Sequence, residues 1–251
     1  MSNFSVLITT DGEPNTGDAT KYFNQPIELK GYLYQMGLNK LDLTYSWQNI
    51  SSSLGNNVFK YNNGVTNKTL TLDSGVYSYI DLVQEIHDLM LLEGDYTLVS
   101  GSPAFDIDFT LELSSGYSTI ILTNSYTVDF TGLGIRNIFG FNSAVYNASA
   151  ESPNKSDINA GVESILVHCD LVRGSSWVNN VPSDVIYSFK VIAQPNETIS
   201  LEPNMTKVLP INQREIIQSI RCYLTDQNLR VINLQNEGMT LDLVFVPIVQ
   251  Y

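Results

Sequence analysis

The chain has 251 residues and a formal net charge of −13 at pH 7, with 13 basic residues against 26 acidic ones. This balance argues against direct binding to nucleic acid, because neutralising phosphates takes clustered Lys and Arg side chains. A hydrophobic content of 43% is enough for a proper core, and an all-β domain of this length can form one unit. The sequence has no run of about 18 apolar residues, so it predicts no membrane span.

Alternation of apolar and polar residues begins near the N-terminus and predicts strands with one buried face. The cleanest run is residues 104–113, in which every second residue from Phe105 to Leu113 points to one side. Further strands are predicted over 4–9, 26–34, 41–49, 57–61, 68–73, 119–123, 163–172, 184–193, 197–201, 216–225, 230–234 and 239–246.

An amphipathic helix over 79–93 interrupts the strands. Ser78 can cap its first turn, with Asp81 at the third helical position, and apolar residues then recur at helical spacing. Gly94 suits a left-handed stop. A second, shorter helical turn is predicted after Thr131.

These elements together predict an all-β fold, namely a single jelly-roll β-sandwich with one or two short helices in connecting loops. We expect an N-terminal strand and polar arm over 1–25 and a single jelly-roll domain over 26–251. The Asn- and Ser-rich stretch 142–160 is expected to be a long surface loop.

Side chains with catalytic potential are few. His87 lies outside the apolar stripe of its helix and is expected to be solvated. His168 points to the opposite strand face from Cys169, so these neighbours cannot form a nucleophile–base pair. Asp106 and Asp108 share a predicted strand face about 7 Å apart, which suits paired carboxylates and equally a solvated polar face. We predict no catalytic residue, no metal site and no cofactor.

Both cysteines, Cys169 and Cys222, lie in apolar alternating runs without a CxxC spacing. A free cysteine packs as a small hydrophobe, so we expect two buried, reduced thiols, with a disulfide or a metal site as the alternative. The N-terminus has neither the basic region nor the apolar region of a signal peptide, which favours a reducing site of synthesis.

Residues 174–184 read as a turn that holds Trp177 together with Asn179 and Asn180. An exposed Trp forgoes burial worth about 2–3 kcal/mol, so we interpret these three residues as a subunit interface, where Trp is enriched. The alternative is a carbohydrate- or peptide-binding, lectin-like β-sandwich module, in which an exposed aromatic ring lies beside polar groups.

Several short motifs occur in an order that resembles a known family. They are WQNIS at 47–51, NNVF at 56–59, SGVY at 74–77, IFGF at 138–141, DINAGVESILVHCDLV at 157–172, SDVIYSF at 183–189 and LTDQNLRVINL at 224–234. In this order the chain resembles the penton, or minor capsid, protein of Polinton/Maverick-type elements, adintoviruses and virophages, over most of its length after residue 40. The pattern shows no long insertion.

That resemblance implies a structural viral capsid protein and not an enzyme. It implies a penton subunit that forms homopentamers at the fivefold vertices of an icosahedral capsid. Its partners would be itself and a double-jelly-roll major capsid protein, with no direct nucleic-acid contact. Its location would be the virion, at the capsid vertex, after synthesis in the host cytoplasm and assembly there or in the host nucleus.

Overall fold

The computed structural model of the chain describes residues 3–10, 17–29, 32–159, 161–172, 174, 176–204, 206–211 and 216–248. These residues separate into two compact units. The first, here called the split unit, holds the described residues of Met1–Trp47 and Val162–Tyr251. The second, the inserted unit, holds those of Gln48–Gly161.

The strands and helices are numbered along the chain. The first segment of the split unit contains β1 (Phe4–Thr9), β2 (Asp18–Glu28) and β3 (Tyr34–Thr44). The inserted unit contains β4 (Val58–Asn62), β5 (Asn67–Thr71), α1 (Tyr79–Leu92), β6 (Thr97–Val99), β7 (Ser102–Ala104), β8 (Ile107–Leu111), β9 (Tyr117–Leu122), β10 (Thr127–Asp129), α2 (Ile135–Phe139), β11 (Val145–Tyr146) and β12 (Ala150–Lys155). The second segment of the split unit contains β13 (Ser164–Cys169), β14 (Ser176–Val178), β15 (Val181–Ser183), β16 (Val185–Lys190), β17 (Thr198–Leu201), β18 (Leu209–Pro210), β19 (Ile216–Asp226) and β20 (Met239–Pro247).

The split unit is a sandwich of two antiparallel sheets. Their strand orders are β1-β20-β3-β17, with the short β18 beside β3, and β16-β13-β19-β2. When these eight main strands are counted in chain order, the sheets read 1-8-3-6 and 5-4-7-2, which is the order of a jelly roll. The predicted all-β class and jelly-roll sandwich are therefore confirmed, and the inserted unit enters between the third and fourth strands.

Period-two alternation builds the core of this sandwich. Every second residue of β20 from Met239 to Phe245 is buried, as the sequence pattern predicts. Trp47, just after β3, is also buried, and its ring stacks on that of Tyr45 with the centroids 3.9 Å apart.

The inserted unit combines short strands with the predicted helix. Its larger sheets have the orders β11-β10-β4-β5 and β12-β9-β8. Helix α1 starts from a capping box, in which Ser78 Oγ accepts from the backbone N–H of Asp81 at 3.2 Å and the Asp81 carboxylate accepts from the backbone N–H of Ser78 at 3.4 Å. Gly94 follows the helix with a φ of 78°, so the predicted start and stop signals are both used.

Sequence expectations fail at several strand ends, including the two that follow. Residues 18–25, expected in a polar arm, belong to β2, an edge strand that tolerates many polar residues and Pro26; residues 11–16 of that expected arm lie outside the described residues. Leu113, expected to point inward, is 89% exposed because β8 ends at Leu111.

The inserted unit itself is a long insertion, which the sequence pattern does not show. Its strands alternate like those of the sandwich, and no linker-like stretch marks its boundaries at residues 48 and 161. A single cooperative domain over 26–251 stays a prediction.

Candidate interaction surface

A short hairpin of β14 and β15 carries all three predicted interface residues. Its two turn residues, Asn179 and Asn180, have φ values of 48° and 64°. Two consecutive left-handed residues make the type I′ turn that fits the twist of a two-residue hairpin, and Asn adopts this conformation at low cost. Asn179 also donates from Nδ2 to the carbonyl oxygen of Gln227 at 3.2 Å. The asparagines thus shape the hairpin and tie its tip to the end of β19.

Trp177 is the exposed anchor of this hairpin. Its side chain is 70% exposed, as the sequence predicts. It pairs with Pro182 across the hairpin, and directly opposed residues share a face of the ladder. Residues 176–183 contain no charged side chain, so contact through this hairpin would not bury an unpaired charge of its own.

The base of the hairpin borders a cleft of about 400 Å³ on the outer face of the second sheet. Residues that line it include His168, Pro182, Asp184, Tyr223, Thr225 and Val231. Its volume falls in the range of about 300–1,000 Å³ that is usual for small-molecule sites.

A buried polar network forms the floor of this cleft. His168 Nδ1 lies 2.7 Å from Asp184 Oδ1, and His168 Nε2 lies 2.8 Å from Thr225 Oγ1. Tyr223 donates its hydroxyl to Asp184 at 3.0 Å and stacks its ring on that of His168, with the centroids 4.3 Å apart. His168 and Tyr223 are direct partners in the register of β13 and β19, which explains why their rings meet.

The charges of the network follow from these contacts. Burial alone would raise the pKa of Asp184, but the hydrogen bonds from His168 and Tyr223 hold this pKa below its ordinary value. Burial, together with the charge of Asp184, raises the pKa of Tyr223 to about 12. The guanidinium of Arg221, 5.0 Å from the centre of the Tyr223 ring, acts in the opposite direction. Asp184 is therefore an ionised acceptor at neutral pH, and Tyr223 is a neutral donor.

The order Asp184–His168–Thr225 matches that of an orienting acid, a base and a nucleophile. However, the side chains of Thr225 and His168 are only 3% and 2% exposed. A hydroxyl at that depth cannot reach an incoming acyl group without rearrangement of the sheet. The arrangement instead links β13, β19 and the base of the hairpin through satisfied hydrogen bonds.

The sequence did not identify Asp184, Tyr223 or Thr225 as partners of His168. Asp184 lies just before β16, whereas Tyr223 and Thr225 lie on β19. Only the register of β13 with β16 and β19 brings them to His168. The alternation of residues in the sequence places His168 and Cys169 on opposite faces of one strand, and the structure agrees with this prediction.

The other sequence candidates do not form a site together. Asp106 is buried and accepts from Asn124 Nδ2 at 2.8 Å, whereas Asp108 is partly exposed and lies 3.6 Å from His87 Nε2. His87 is not solvated, since its ring stacks on that of Phe105 with the centroids 4.3 Å apart. Asp106 and Asp108 therefore have separate structural roles.

The described ranges also lack two kinds of feature. These ranges hold no group of three or more His, Cys, Asp or Glu side chains that is placed to bind a metal ion. Within them, neither helix is long and apolar enough to cross a membrane.

The strand order defines the class of fold. It is a jelly-roll β-sandwich, the architecture that many viral capsid proteins and lectins share. The mavirus penton protein has a similar fold, with a TM-score of 0.59 and 10% sequence identity, over 98% of this chain and 100% of that chain. A chain in the cryo-EM structure of the Sputnik virophage is also similar, with a TM-score of 0.52 and 11% identity, over 97% of each chain. No protein-family model and no curated protein sequence matches the chain.

These similarities confirm, at the level of the fold, the resemblance to virophage pentons that the order of the short motifs predicted. They extend through the inserted unit as well as the split unit, because nearly the whole chain is covered. The Polinton, Maverick and adintovirus part of the resemblance stays a prediction.

Proposed function

We propose that this chain is a structural capsid protein, a penton subunit that forms homopentamers at the fivefold vertices of an icosahedral virion. The observation that carries the proposal is the end-to-end match to the mavirus penton protein. This match covers 98% of this chain and 100% of that chain. The proposal includes a double-jelly-roll major capsid protein as the neighbouring partner, and it assigns no catalytic step to the chain.

The exposed hairpin supplies a contact of the kind that a ring needs. A closed ring of identical subunits uses two different surfaces, one on each side of every subunit. Trp177 is a rigid aromatic anchor on an uncharged projection, and such residues dominate the energetics of interfaces. We therefore place Trp177, with its supporting turn Asn179 and Asn180, at the contact between neighbouring subunits.

The net charge sets the salt dependence of such a ring. Each subunit brings a formal charge of −13, so the subunits repel one another at low ionic strength. The screening length falls from about 30 Å at 0.01 M salt to about 8 Å at 0.15 M. A ring held by apolar contacts should therefore become more stable as salt is added.

Sedimentation across a salt series, combined with negative-stain microscopy, tests this proposal. We expect five-membered rings whose population rises with salt. A pure monomer at every salt and at tens of micromolar protein would count against intrinsic ring formation. Rings that dissociate when salt is added would show that ion pairs hold them, which contradicts the apolar contact proposed here.

The variant Trp177→Ala tests the placement of the contact. Loss of a central aromatic anchor should weaken association about 30-fold or more, while the free energy of unfolding of the monomer should hardly change because Trp177 is exposed. Leu113→Ala is the matched control, since Leu113 is an even more exposed apolar residue on the inserted unit. Equal loss of rings in both variants would contradict a specific role for Trp177.

A lectin-like binding module is the second candidate, and the cleft beside the hairpin is the observation that favours it. In that case the protein should be monomeric under the microscope, and it should bind a sugar or a peptide saturably. Binding should then be lost in Tyr223→Ala, which removes the aromatic wall of the cleft, and kept in Leu113→Ala. One observation weakens this candidate: the Asn179 amide is already bonded to the carbonyl oxygen of Gln227, at the end of β19.

A further inference from the structure

The two cysteines of the chain face each other across neighbouring strands. Cys169 on β13 is the direct register partner of Cys222 on β19. Both side chains are fully buried in the core of the split unit, and both are free thiols. They lie far apart in sequence, so only the jelly-roll topology brings them together.

One backbone hydrogen bond shows which type of cross-strand pair Cys169 and Cys222 form. The backbone N–H of Cys169 donates to the carbonyl oxygen of Asp184, next to β16, at 2.9 Å. In an antiparallel strand the N–H and C=O of one residue point to the same neighbour, so those of Cys169 point away from β19. Cys169 and Cys222 therefore form a non-hydrogen-bonded pair, in which Cα atoms lie about 4.5 Å apart and side chains come closest.

That separation is compatible with a covalent bond. Disulfides join Cα atoms about 4.4–6.8 Å apart, and a directly opposed pair holds its two Cβ atoms on one face of the sheet. A disulfide between Cys169 and Cys222 thus needs rotation of the side chains and little movement of the backbone.

Burial and local contacts limit the reactivity of the pair. The hydrogen bond with Cys169, together with burial, raises the pKa of the Cys222 thiol well above its ordinary value. The Cys169 thiol donates to the sulfur of Met36 at 3.7 Å. Since the thiolate is the reactive form, the Cys222 thiol reacts slowly. The burial of both sulfurs excludes a bulky reagent. A small oxidant that enters the core can still convert one thiol to a sulfenic acid, which condenses with a neighbouring thiol.

We propose that Cys169 and Cys222 are an oxidation site, which closes to an intrachain disulfide when the protein meets a small oxidant such as hydrogen peroxide. In the first step, one thiol reduces the peroxide to water and becomes a sulfenic acid. In the second, the other sulfur displaces the hydroxyl, which leaves as a second water molecule. The two thiols together lose two protons and two electrons, and the peroxide accepts them. The biological occasion, release of a virion from a reducing cell, depends on the proposed capsid function, whereas the chemistry does not.

The expected consequence is a covalent link between the two central strands of the second sheet. Closing a loop of about 50 residues restricts the unfolded chain. For a chain of this size, we expect the melting temperature to rise by about 5–15 °C. The link lies inside one subunit, so it should strengthen each subunit without adding contacts between subunits.

Mass spectrometry and thermal melting of the purified protein test this inference. Reduced protein is treated with hydrogen peroxide, denatured, and alkylated. We expect a loss of two daltons, no alkylation at either cysteine, and a raised melting temperature that dithiothreitol reverses. Two alkylated cysteines after prolonged oxidation, or oxidation to sulfinic acid in place of the bridge, would overturn the proposal.

The variants Cys169→Ala and Cys222→Ala are matched controls. Each removes one partner, so peroxide should produce neither the two-dalton loss nor the rise in melting temperature. A comparable rise in either variant would show that another oxidised residue, such as a methionine, is responsible. If both variants fail to fold, the wild-type measurements still decide the question. Sedimentation of the same samples reports ring formation separately, so failure of the disulfide and failure of the penton proposal can be told apart.

Discussion

The two units of this chain have cores of different composition. The split unit packs mainly aliphatic residues from long strands, such as the 11-residue β3 and β19. The inserted unit, whose strands are six residues or shorter, packs a cluster of aromatic rings: Phe59, Tyr61, Tyr79, Phe109, Phe130, Phe139 and Phe141. Long alternating strands can fill a core with small branched residues, whereas short strands gain burial by using the largest side chains.

Polar anchoring differs in the same way. In the inserted unit, Asn49 is fully buried and joins segments that are distant in sequence. Its Nδ2 donates to the carbonyl oxygens of Tyr77 at 2.7 Å and Ile158 at 2.8 Å, and its Oδ1 accepts from the backbone N–H of Tyr77 at 2.8 Å. In the split unit the buried network around His168 lies on the outer face of a sheet that is already complete. Asn49 thus joins distant segments within the inserted unit, while the His168 network binds the base of the β14–β15 hairpin to the sheet.

The largest expected effect comes from breaking the aromatic core. Phe109 stacks on Phe139 with the centroids 4.2 Å apart and lies at the centre of the cluster. Phe109→Ala should lower the free energy of unfolding by about 3–5 kcal/mol. Both tryptophans lie in the split unit and the longer helix in the inserted unit, so Trp fluorescence and helical circular dichroism follow the units separately.

The control for this prediction is Ile165→Ala in the core of the split unit, which should cost about 2–5 kcal/mol. If residues 26–251 are one cooperative domain, fluorescence and dichroism should shift together in both variants. If the units unfold independently, each variant should shift only its own signal, and the single-domain prediction would be wrong.

Removal of the Asn49 side chain, which acts as a clamp between segments of the inserted unit, should have the next largest effect. Asn49→Ala leaves three partly buried backbone groups without their partner, and unsatisfied buried groups cost about 1–3 kcal/mol each before relaxation. We expect a loss of about 2–4 kcal/mol in urea unfolding followed by dichroism. Asn57→Ala is the matched control, because Asn57 makes one longer bond to the Leu72 carbonyl oxygen, at 3.3 Å. An equal loss in both variants would show that Asn49 is no clamp.

Acid should weaken the split unit through Asp184. The pKa of this carboxyl is lowered in the folded chain, so its ionised form stabilises the fold above its ordinary pKa of 3.8. This contribution is lost as the pH falls through the lower, folded-state pKa. Asp184→Asn should therefore cost about 1–3 kcal/mol at pH 7 and markedly less near pH 2, as measured by Trp fluorescence. A cost that does not change with pH would contradict an ionised Asp184.

The smallest effect is expected at the start of α1. Ser78→Ala removes the capping hydroxyl and should cost about 1 kcal/mol. Ser78→Asn restores an acceptor at the cap and a donor to the Asp81 carboxylate, so it should recover most of this loss. Thermal melting followed by dichroism can measure the recovery. No difference between the two variants would mean that the cap contributes little to the inserted unit.

Local signals made part of this structure predictable. The capping box at Ser78 and the alternation in β20 act within a few residues, so the sequence alone indicates them. The hairpin turn at Asn179 and Asn180 was also visible, as was the exposure of Trp177. The inserted unit was not visible as a separate body, because its strands use the same period-two pattern as the sandwich. The partners of His168 were missed because they depend on the register of three strands.

The pairing of β1 with β20 has a consequence for how the protein is made. Phe4 pairs with Phe245, so the first sheet of the split unit cannot close until the last strands have left the ribosome. The inserted unit is one continuous segment and is complete about 80 residues earlier, which corresponds to roughly 4–16 s of synthesis at 5–20 residues per second. During that interval β3 lacks its partner strand β20. Its unpaired edge and its apolar residues are then exposed, so this segment can aggregate or bind a chaperone.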